Sequence, residues 1–254
     1  MILNFTEAGA GTPLVLLHGL FGAARNLGVL SRALSPSYRV IALDLRNHGD
    51  SPHDSHMDYA LMAQDVAETL AHLGLSRVRL CGHSMGGKTA MMLALSKPEM
   101  VDHLAVLDIA PVNYPHNYTD LAEAMLSIPL SPDLTRAQAE QVLAKVVKEA
   151  PMRAFLLNNL VLGAQPHWRV GLAEIRENMA NLFRWDDPSP VPVYNGPTLF
   201  LCGAKSHYVE PAVEPAIMQR FPRANIEYVA DAAHWLHADK PEIVITALRE
   251  FFAS

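Results

Sequence analysis

Ser84 sits in Gly82-His83-Ser84-Met85-Gly86, a Gly-x-Ser-x-Gly spacing that can arm a serine. An apolar run, Val78 to Cys81, precedes it, and apolar residues at helical spacing follow it to Ala94. A strand, a sharp corner and a helix in that order form a nucleophile elbow, with the hydroxyl lifted clear at the apex. The glycines leave room for a strained serine, and the helix behind it aims backbone N–H groups toward any developing oxyanion. The pentapeptide alone could be an ordinary strand–helix turn with an exposed serine. Its flanking elements and the doubled Gly86-Gly87 favour the chemical reading.

A serine hydroxyl needs a base. Of twelve histidines, His234 is the candidate. It lies in Asp231-Ala232-Ala233-His234-Trp235, directly after the last predicted strand, where parallel strands deliver their C-terminal ends to one edge. His237 reads as structural or solvent-facing, and His207 has a weaker claim. The base needs an acid to orient it. The acid is first sought in the loop after the penultimate strand, but Gly203 to Val209 hold no carboxylate, and Ser206 stands where an Asp would be expected. Asp108 is the better candidate. It ends the strand after the elbow helix, in the apolar setting Val106-Leu107-Asp108-Ile109, where a carboxylate must have partners. Alternatively, Asp108 caps a turn and Glu210 is the acid. For the oxyanion, Met85 N–H and a donor from His18-Gly19-Leu20-Phe21-Gly22 are required, Leu20 first and Phe21 next. His18 is expected to brace that loop, and His83 to pack behind the elbow. Asp44-x-Arg46-Asn47-His48 lacks companion ligands for a metal, so local pairing of Asp44 with Arg46 is expected. No phosphate loop or dinucleotide fingerprint is present.

These residues require elements to position them. Strands are expected within residues 2–8, at Leu14–Leu17, Tyr38–Leu45, Val78–Cys81 and within Val101–Ile109. Helices are expected at Asn26–Leu34 and Tyr59–Leu73, the latter with Met62, Val66, Leu70 and Leu73 on one stripe. Residues 112 to about 190 read as helices with no convincing strand. These are Leu121–Leu126, a helix opened by a Thr135/Gln138 capping box and running through Ala150, one from Pro151 to about Val161, and Arg169–Phe183. A Pro-rich linker over Asp186–Pro197 returns to strands at Thr198–Cys202 and Asn225–Val229 and helices at Glu214–Arg220 and Pro241–Phe252. Alternating strands and helices predict a doubly wound, mostly parallel α/β sheet with an inserted helical cap over its C-terminal edge. The expected division is core 1–111, cap 112–190 and core 191–254.

Composition excludes several classes. Half of the 254 residues are hydrophobic and 18% are charged, which describes a globular chain with a sizeable core. A net charge of −6 without basic runs argues against nucleic acid or anionic membranes as partners. No apolar run is long enough to span a bilayer, and no signal peptide is visible. Two cysteines make no disulfide framework, so a cytoplasmic setting is expected.

The blocks LVLLHGLFG, DLRNHGDS, GHSMGGK and AAHW resemble the α/β-hydrolase superfamily from end to end. HGLFGAARNLGVL, DLRNHGDSPH and LDIAPVNY more closely resemble the YbfF-type bacterial esterases and their mitochondrial abhydrolase relatives. The resemblance implies hydrolysis of carboxylic esters, with acyl-CoA thioesters linked to the group, and no cofactor. It also implies an acid after the strand following the elbow helix, which supports Asp108. Asp231-Ala232-Ala233 departs from the glycines common before the histidine. The expectation is therefore a serine hydrolase of a small-molecule acyl ester or thioester, with a Ser84–His234–Asp108 triad and an apolar acyl pocket lined by the cap. The rivals are a C–C bond hydrolase or lyase on a small keto acid, for which Arg153, Arg169 or Arg184 could hold a carboxylate, and a non-catalytic receptor. Oligomeric state is not legible.

Overall fold

The computed structural model describes residues 1–115, 118–188 and 192–253. Residues 116, 117 and 189–191, which fall in the expected helical block and Pro-rich linker, lie outside the described residues, as does residue 254. The first half alternates β1 (Phe5–Ala8), β2 (Pro13–Leu17), α1 (Gly28–Leu34), β3 (Arg39–Leu43), α2 (Tyr59–His72), β4 (Val78–His83), α3 (Met85–Ser96) and β5 (Val101–Leu107). An insertion follows, with α4 (Thr119–Leu126), α5 (Arg136–Leu143), α6 (Ala150–Leu157), β6 (Leu160–Val161), β7 (His167–Trp168), α7 (Leu172–Glu177) and α8 (Met179–Phe183). The chain then completes the sheet with β8 (Thr198–Gly203), α9 (Glu214–Arg220), β9 (Ala224–Val229), α10 (Leu236–Asp239) and α11 (Pro241–Ala253).

The seven-stranded sheet has the order β1-β3-β2-β4-β5-β8-β9. Only β1 runs antiparallel. The expected doubly wound, mostly parallel sheet is thus present. Its strands are apolar on both faces because both are covered. Side chains alternate along a strand. Val15, Leu17, Leu80, Val106 and Phe200 pack on one side with Met62, Val66 and Leu70 of α2 and Met91 of α3. Leu14, Leu16, Cys81, Ala105 and Leu199 pack on the other with Leu30 and Leu34 of α1 and Leu248 and Phe252 of α11. Each fully buried side chain of this kind contributes roughly 1.5–3 kcal/mol.

Register sets the site. Leu17 pairs with Gly82, His83 with Leu107, and Leu107 with Leu201. The residues just beyond these pairs, His18, Ser84 and Asp108, therefore emerge on one edge. Two further bonds extend the ladders past the strand ends: Ser84 N–H to Leu107 O and Asp108 N–H to Leu201 O, both 3.0 Å.

The insertion departs from the sequence expectation in three places. The capping box forms, with Gln138 N–H on Thr135 Oγ1 and Thr135 N–H on Gln138 Oε1. The helix it opens stops at Leu143, before the β-branched pair Val146-Val147, and Val147 turns inward to bury. The next helix ends at Leu157. Asn159 spends its side chain on Phe21 O (2.7 Å), and the chain forms the hairpin β6–β7, strands not expected here. The helix expected over Arg169–Phe183 starts at Leu172 and breaks at Asn178, whose amide donates to Ser55 O at 2.7 Å and accepts Met57 N–H at 3.2 Å. Within the core, α10 is also additional, and β1, Phe5–Ala8, falls within the expected residues 2–8. No helix of the described residues is long and apolar enough to cross a membrane.

Candidate active site

Ser84 joins β4 to α3 with φ +53°, a left-handed conformation rarely adopted by a residue with a side chain. The flanking glycines permit close approach and do not themselves take positive φ. A Cβ on Gly82 would stand 2.2 Å from Gly86 O, and one on Gly86 would stand 2.4 Å from Leu17 O. The corner is thus pressed against β2, and only glycine fits at either position.

Ser84 Oγ lies 3.0 Å from His234 Nε2. His234 Nδ1 lies 2.7 Å from Asp108 Oδ2. With Asp108 accepting from Nδ1–H, the Nε2 lone pair faces the serine hydroxyl, the arrangement a general base requires. Asp108 is fully buried and also has positive φ, +52°. Its Oδ1 accepts Gly203 N–H at 2.8 Å and its Oδ2 accepts the Ser206 hydroxyl at 2.5 Å. Three donors on one carboxylate offset the cost of burying its charge. Ser206 therefore stands in the loop where an acid was sought and binds the carboxylate that follows β5. Its oxygen also accepts Tyr208 N–H at 3.2 Å. Glu210 is exposed and pairs with His207 at 3.0 Å. No hydrogen bond joins it to His234.

The imidazole is held from several sides. Tyr208 stacks on it with ring centroids 4.1 Å apart. His83 donates from Nε2 to the carbonyl of His234 itself at 2.8 Å. Burial, helped by the neighbouring His237 and His234, holds the His83 pKa well below the usual imidazole value, so it serves as a neutral donor. His237 packs edge-on against His83 at 4.5 Å, and burial lowers its pKa to about 4. It faces inward, so the solvent-facing alternative for His237 is set aside. The histidine loop is anchored by Ala233 N–H on Asp239 Oδ2 (2.9 Å) and by Lys205 N–H on Ala232 O (2.9 Å).

The loop after β2 separates the two oxyanion candidates. Phe21 N–H is taken by His48 Nε2 at 3.1 Å, whereas no hydrogen bond among the described residues engages Leu20 N–H. Met85 N–H opens α3, so it has no acceptor within the helix. Burial depresses His48 to a pKa of about 3. It thus stays neutral, donating from Nδ1 to Arg46 O (2.8 Å) and accepting from Phe21. His18 braces the same loop as expected, with Nδ1 on Gly19 O (2.8 Å) and Nε2 accepting Leu45 N–H (3.0 Å). Asp44 does not pair with Arg46. It accepts Ala24 N–H, Asp50 N–H and the Asn4 amide, while Arg46 makes a buried bidentate pair with Asp65 at 2.6 and 2.9 Å. The two partners are far apart in sequence, so spacing alone pointed to the wrong acid.

Ser84 opens onto a cleft. The insertion contributes Leu121, Met152 and Phe155 to its walls. Lys88, one turn along α3, is 1% exposed and donates to Val112 O (2.9 Å) and Arg184 O (3.0 Å), one near each end of the insertion. Its burial lowers its pKa to about 7. Sequence reading passed over Lys88, Tyr208 and Asn159. The only available signal was a lysine amid the apolar run of α3. Cys81 is buried with its thiol pushed up to about 12, and burial likewise raises Cys202, so neither is a nucleophile.

A family model described as alpha/beta hydrolase fold matches residues 12–241. The chain is 40% identical over 260 residues to a mouse (Mus musculus) protein named sn-1-specific diacylglycerol lipase ABHD11, covering 98% of this chain and 84% of that one. It is 36% identical to Esterase YbfF of Escherichia coli strain K12, covering 94% and 92% of the two chains. A solved structure titled Marine microorganism esterase superposes with a TM-score of 0.95 at 34% identity, covering 98% of this chain and 99% of that one.

Proposed function

We propose, from the premise that this chain belongs to the α/β-hydrolase family, a mechanism and a division of labour for it. The protein is a carboxylic ester hydrolase. Its core is assigned to residues 1–111 and 191–254, and residues 112–190 form a cap. Ser84 attacks the acyl carbon while His234 Nε2 takes its proton. Asp108 orients the imidazole and stabilises its cation. Leu20 and Met85 N–H groups hold the oxyanion, each worth about 3 kcal/mol in the barrier. His234 returns the proton to the departing alcohol or thiol, leaving an acyl-enzyme. Water, deprotonated by the same His234, then attacks the acyl carbon and releases the acid and Ser84. Acyl thioesters fit this chemistry as well as esters, because a thiol leaves more readily than an alkoxide. The free, buried Cys81 and Cys202 suit a reducing compartment such as the cytoplasm.

One observation carries the reading: the hydrogen-bond chain from Ser84 through His234 to a fully buried Asp108. A carbon–carbon hydrolase would need a cation facing the serine. Arg153 pairs with Glu140, Arg169 with Asp50 and Arg184 with Asp186, and none of the three lines the cleft. A fluorophosphonate should label Ser84 and lose its target in Ser84→Ala, in step with hydrolysis of a panel of aryl esters and acyl-CoA thioesters. Labelling without turnover of any ester would point to a receptor. Turnover of vinylogous diketones in preference to esters would point to carbon–carbon cleavage.

A further inference from the structure

Ser84 borders two chambers. The outer is the cleft walled by Leu121, Met152, Phe155 and Trp235 and bounded by His234. The inner is walled by Ile109, Leu182, Phe183, Tyr59 and Tyr208, with Lys88 also in its lining. Only Leu20, Ser84 and Tyr118 border both. Tyr118 forms the partition, its hydroxyl 2.7 Å from that of Tyr208 and its ring edge-on to Phe183 at 5.4 Å.

The reaction has a direction at this partition. In the tetrahedral adduct the acyl carbon carries four groups: Ser84 Oγ, the oxyanion, the leaving heteroatom and the acyl chain. The oxyanion points to Leu20 and Met85. The leaving heteroatom must lie within hydrogen-bond reach of His234 Nε2, which protonates it. His234 borders the outer chamber and not the inner. The acyl chain is left with the inner chamber, whose polar groups are already engaged. The Tyr59 hydroxyl donates to Leu182 O, the Tyr114 hydroxyl to Tyr208 O, and Lys88 to two carbonyls. What faces the ligand is ring and aliphatic surface.

We propose that the chambers divide the substrate, an uncharged acyl group entering the inner one and an apolar alcohol or thiol lying in the outer one under the cap. The inference rests on the hydrolase reading above. It revises the expectation that the cap's Leu, Met, Phe and Trp side chains line an acyl pocket: Leu121, Met152 and Phe155 face the leaving group, and Leu182 and Phe183 face the acyl chain.

Two ester series test this: p-nitrophenyl esters from acetyl to dodecanoyl, and butyrates of methyl, benzyl and naphthylmethyl alcohols. In the parent protein kcat/KM should fall by about tenfold or more along the acyl series once the chain outgrows the inner chamber, the scale at which a pocket rejects extra methylenes. Leu182→Ala, with Leu182→Val as the milder variant if the first melts early, should extend the tolerated acyl chain by two or more carbons and leave the alcohol ranking unchanged. Phe155→Ala should alter the alcohol ranking and leave the acyl profile unchanged. Exchanged effects, with Phe155→Ala moving the acyl limit, overturn the assignment, as does an ester hydrolase whose two profiles ignore both variants. Absence of all ester turnover together with no fluorophosphonate labelling of Ser84 would instead sink the hydrolase reading and this inference with it.

Discussion

At the scale of single residues, the acid is the assignment most open to test. Asp108 receives His234, Ser206 and Gly203 on one buried carboxylate, whereas Glu210 lies in solvent beside His207. Asp108→Asn should therefore lower kcat by about 10⁴, because the amide favours the wrong imidazole tautomer. Glu210→Gln should remain within about twofold of the parent, a difference worth less than ~0.5 kcal/mol. Steady-state kinetics on one aryl ester compares them, and the reverse order would transfer the role of acid to Glu210. Ser206→Ala removes a charge-assisted bond worth about 1.5–3 kcal/mol in isolation. It should reduce kcat by about tenfold with little change in KM, since the loss falls on the charge that stabilises imidazolium. Ser84 and His234 were legible in the sequence because their backbone settings are local: a Gly-flanked corner, and a small-residue loop after a strand. Asp108 was legible from its position at a strand end. Ser206 could be seen only as a gap in a pattern. Tyr208 and His48 carried no signal, because each acts through a partner, His234 or Phe21, that lies 26 or 27 positions away.

At the scale of elements, buried strands announced themselves as continuous apolar runs, and the buried face of α2 by its stripe. The insertion was less legible because backbone acceptors outside it decide where its helices end. Asn159 and Asn178 leave their helices to bond Phe21 O and Ser55 O, and helical spacing cannot register such distant acceptors. Lys88 is the reverse case, a core side chain holding the insertion. Its ammonium spans Val112 O and Arg184 O between the rings of Tyr59 (5.2 Å) and Tyr114 (4.9 Å). The two ends also bond each other, through Tyr114 N–H on Phe183 O and Trp185 N–H on Asn113 Oδ1. Lys88→Met keeps the stem and volume but removes both donors. Global stability should change little, because an awkwardly buried cation is lost along with its bonds. The amides of Tyr114 and Trp185 should exchange hydrogen about tenfold faster through local opening, and KM should rise more than kcat falls. Unchanged exchange at both amides would show that Lys88 does not hold the insertion.

At the scale of the whole molecule, strain and buried imidazoles gather on one edge of the sheet. Among the described residues, all five non-glycine residues with positive φ, Phe21, Asn47, Ser84, Asp108 and Asp231, lie in loops leaving the C-terminal ends of β2, β3, β4, β5 and β9. Such conformations cost of order 1–3 kcal/mol each and persist where the surroundings over-determine them. Here neutral histidines do much of the bracing: His18, His48, His83 and His237 all have pKa values depressed by burial, His48 to about 3 and His237 to about 4. In the unfolded chain each would titrate near 6.5. Between that value and the folded one, the unfolded state binds a proton that the folded state refuses, so stability falls as pH falls. The stabilisation is complete above about pH 7. It declines by up to about 1.4 kcal/mol per pH unit per histidine below 6.5, with His237 contributing down to about 4 and His48 to about 3. His48 and His237 alone can remove a large part of the ~5–15 kcal/mol of a typical domain within about two units, and His18 and His83 act in the same direction. Lys88, lowered to about 7, has the same sign at higher pH, adding stability as pH rises from 7 toward its unfolded value. The raised thiols of Cys81 and Cys202 reverse that trend above about 9, where an unfolded thiol ionises. Thermal melts should therefore give a Tm that climbs gently from pH 7 to 8.5 and drops steeply below 6. His237→Leu should flatten the acid limb by about one histidine's share, and Lys88→Met should level the rise between 7 and 8.5. A Tm as high at pH 5 as at pH 7.5 would mean that these imidazoles take up protons in the folded protein. Neutral His48 could not then be accepting Phe21 N–H, and Leu20 would lose its distinction as the unengaged donor of that loop.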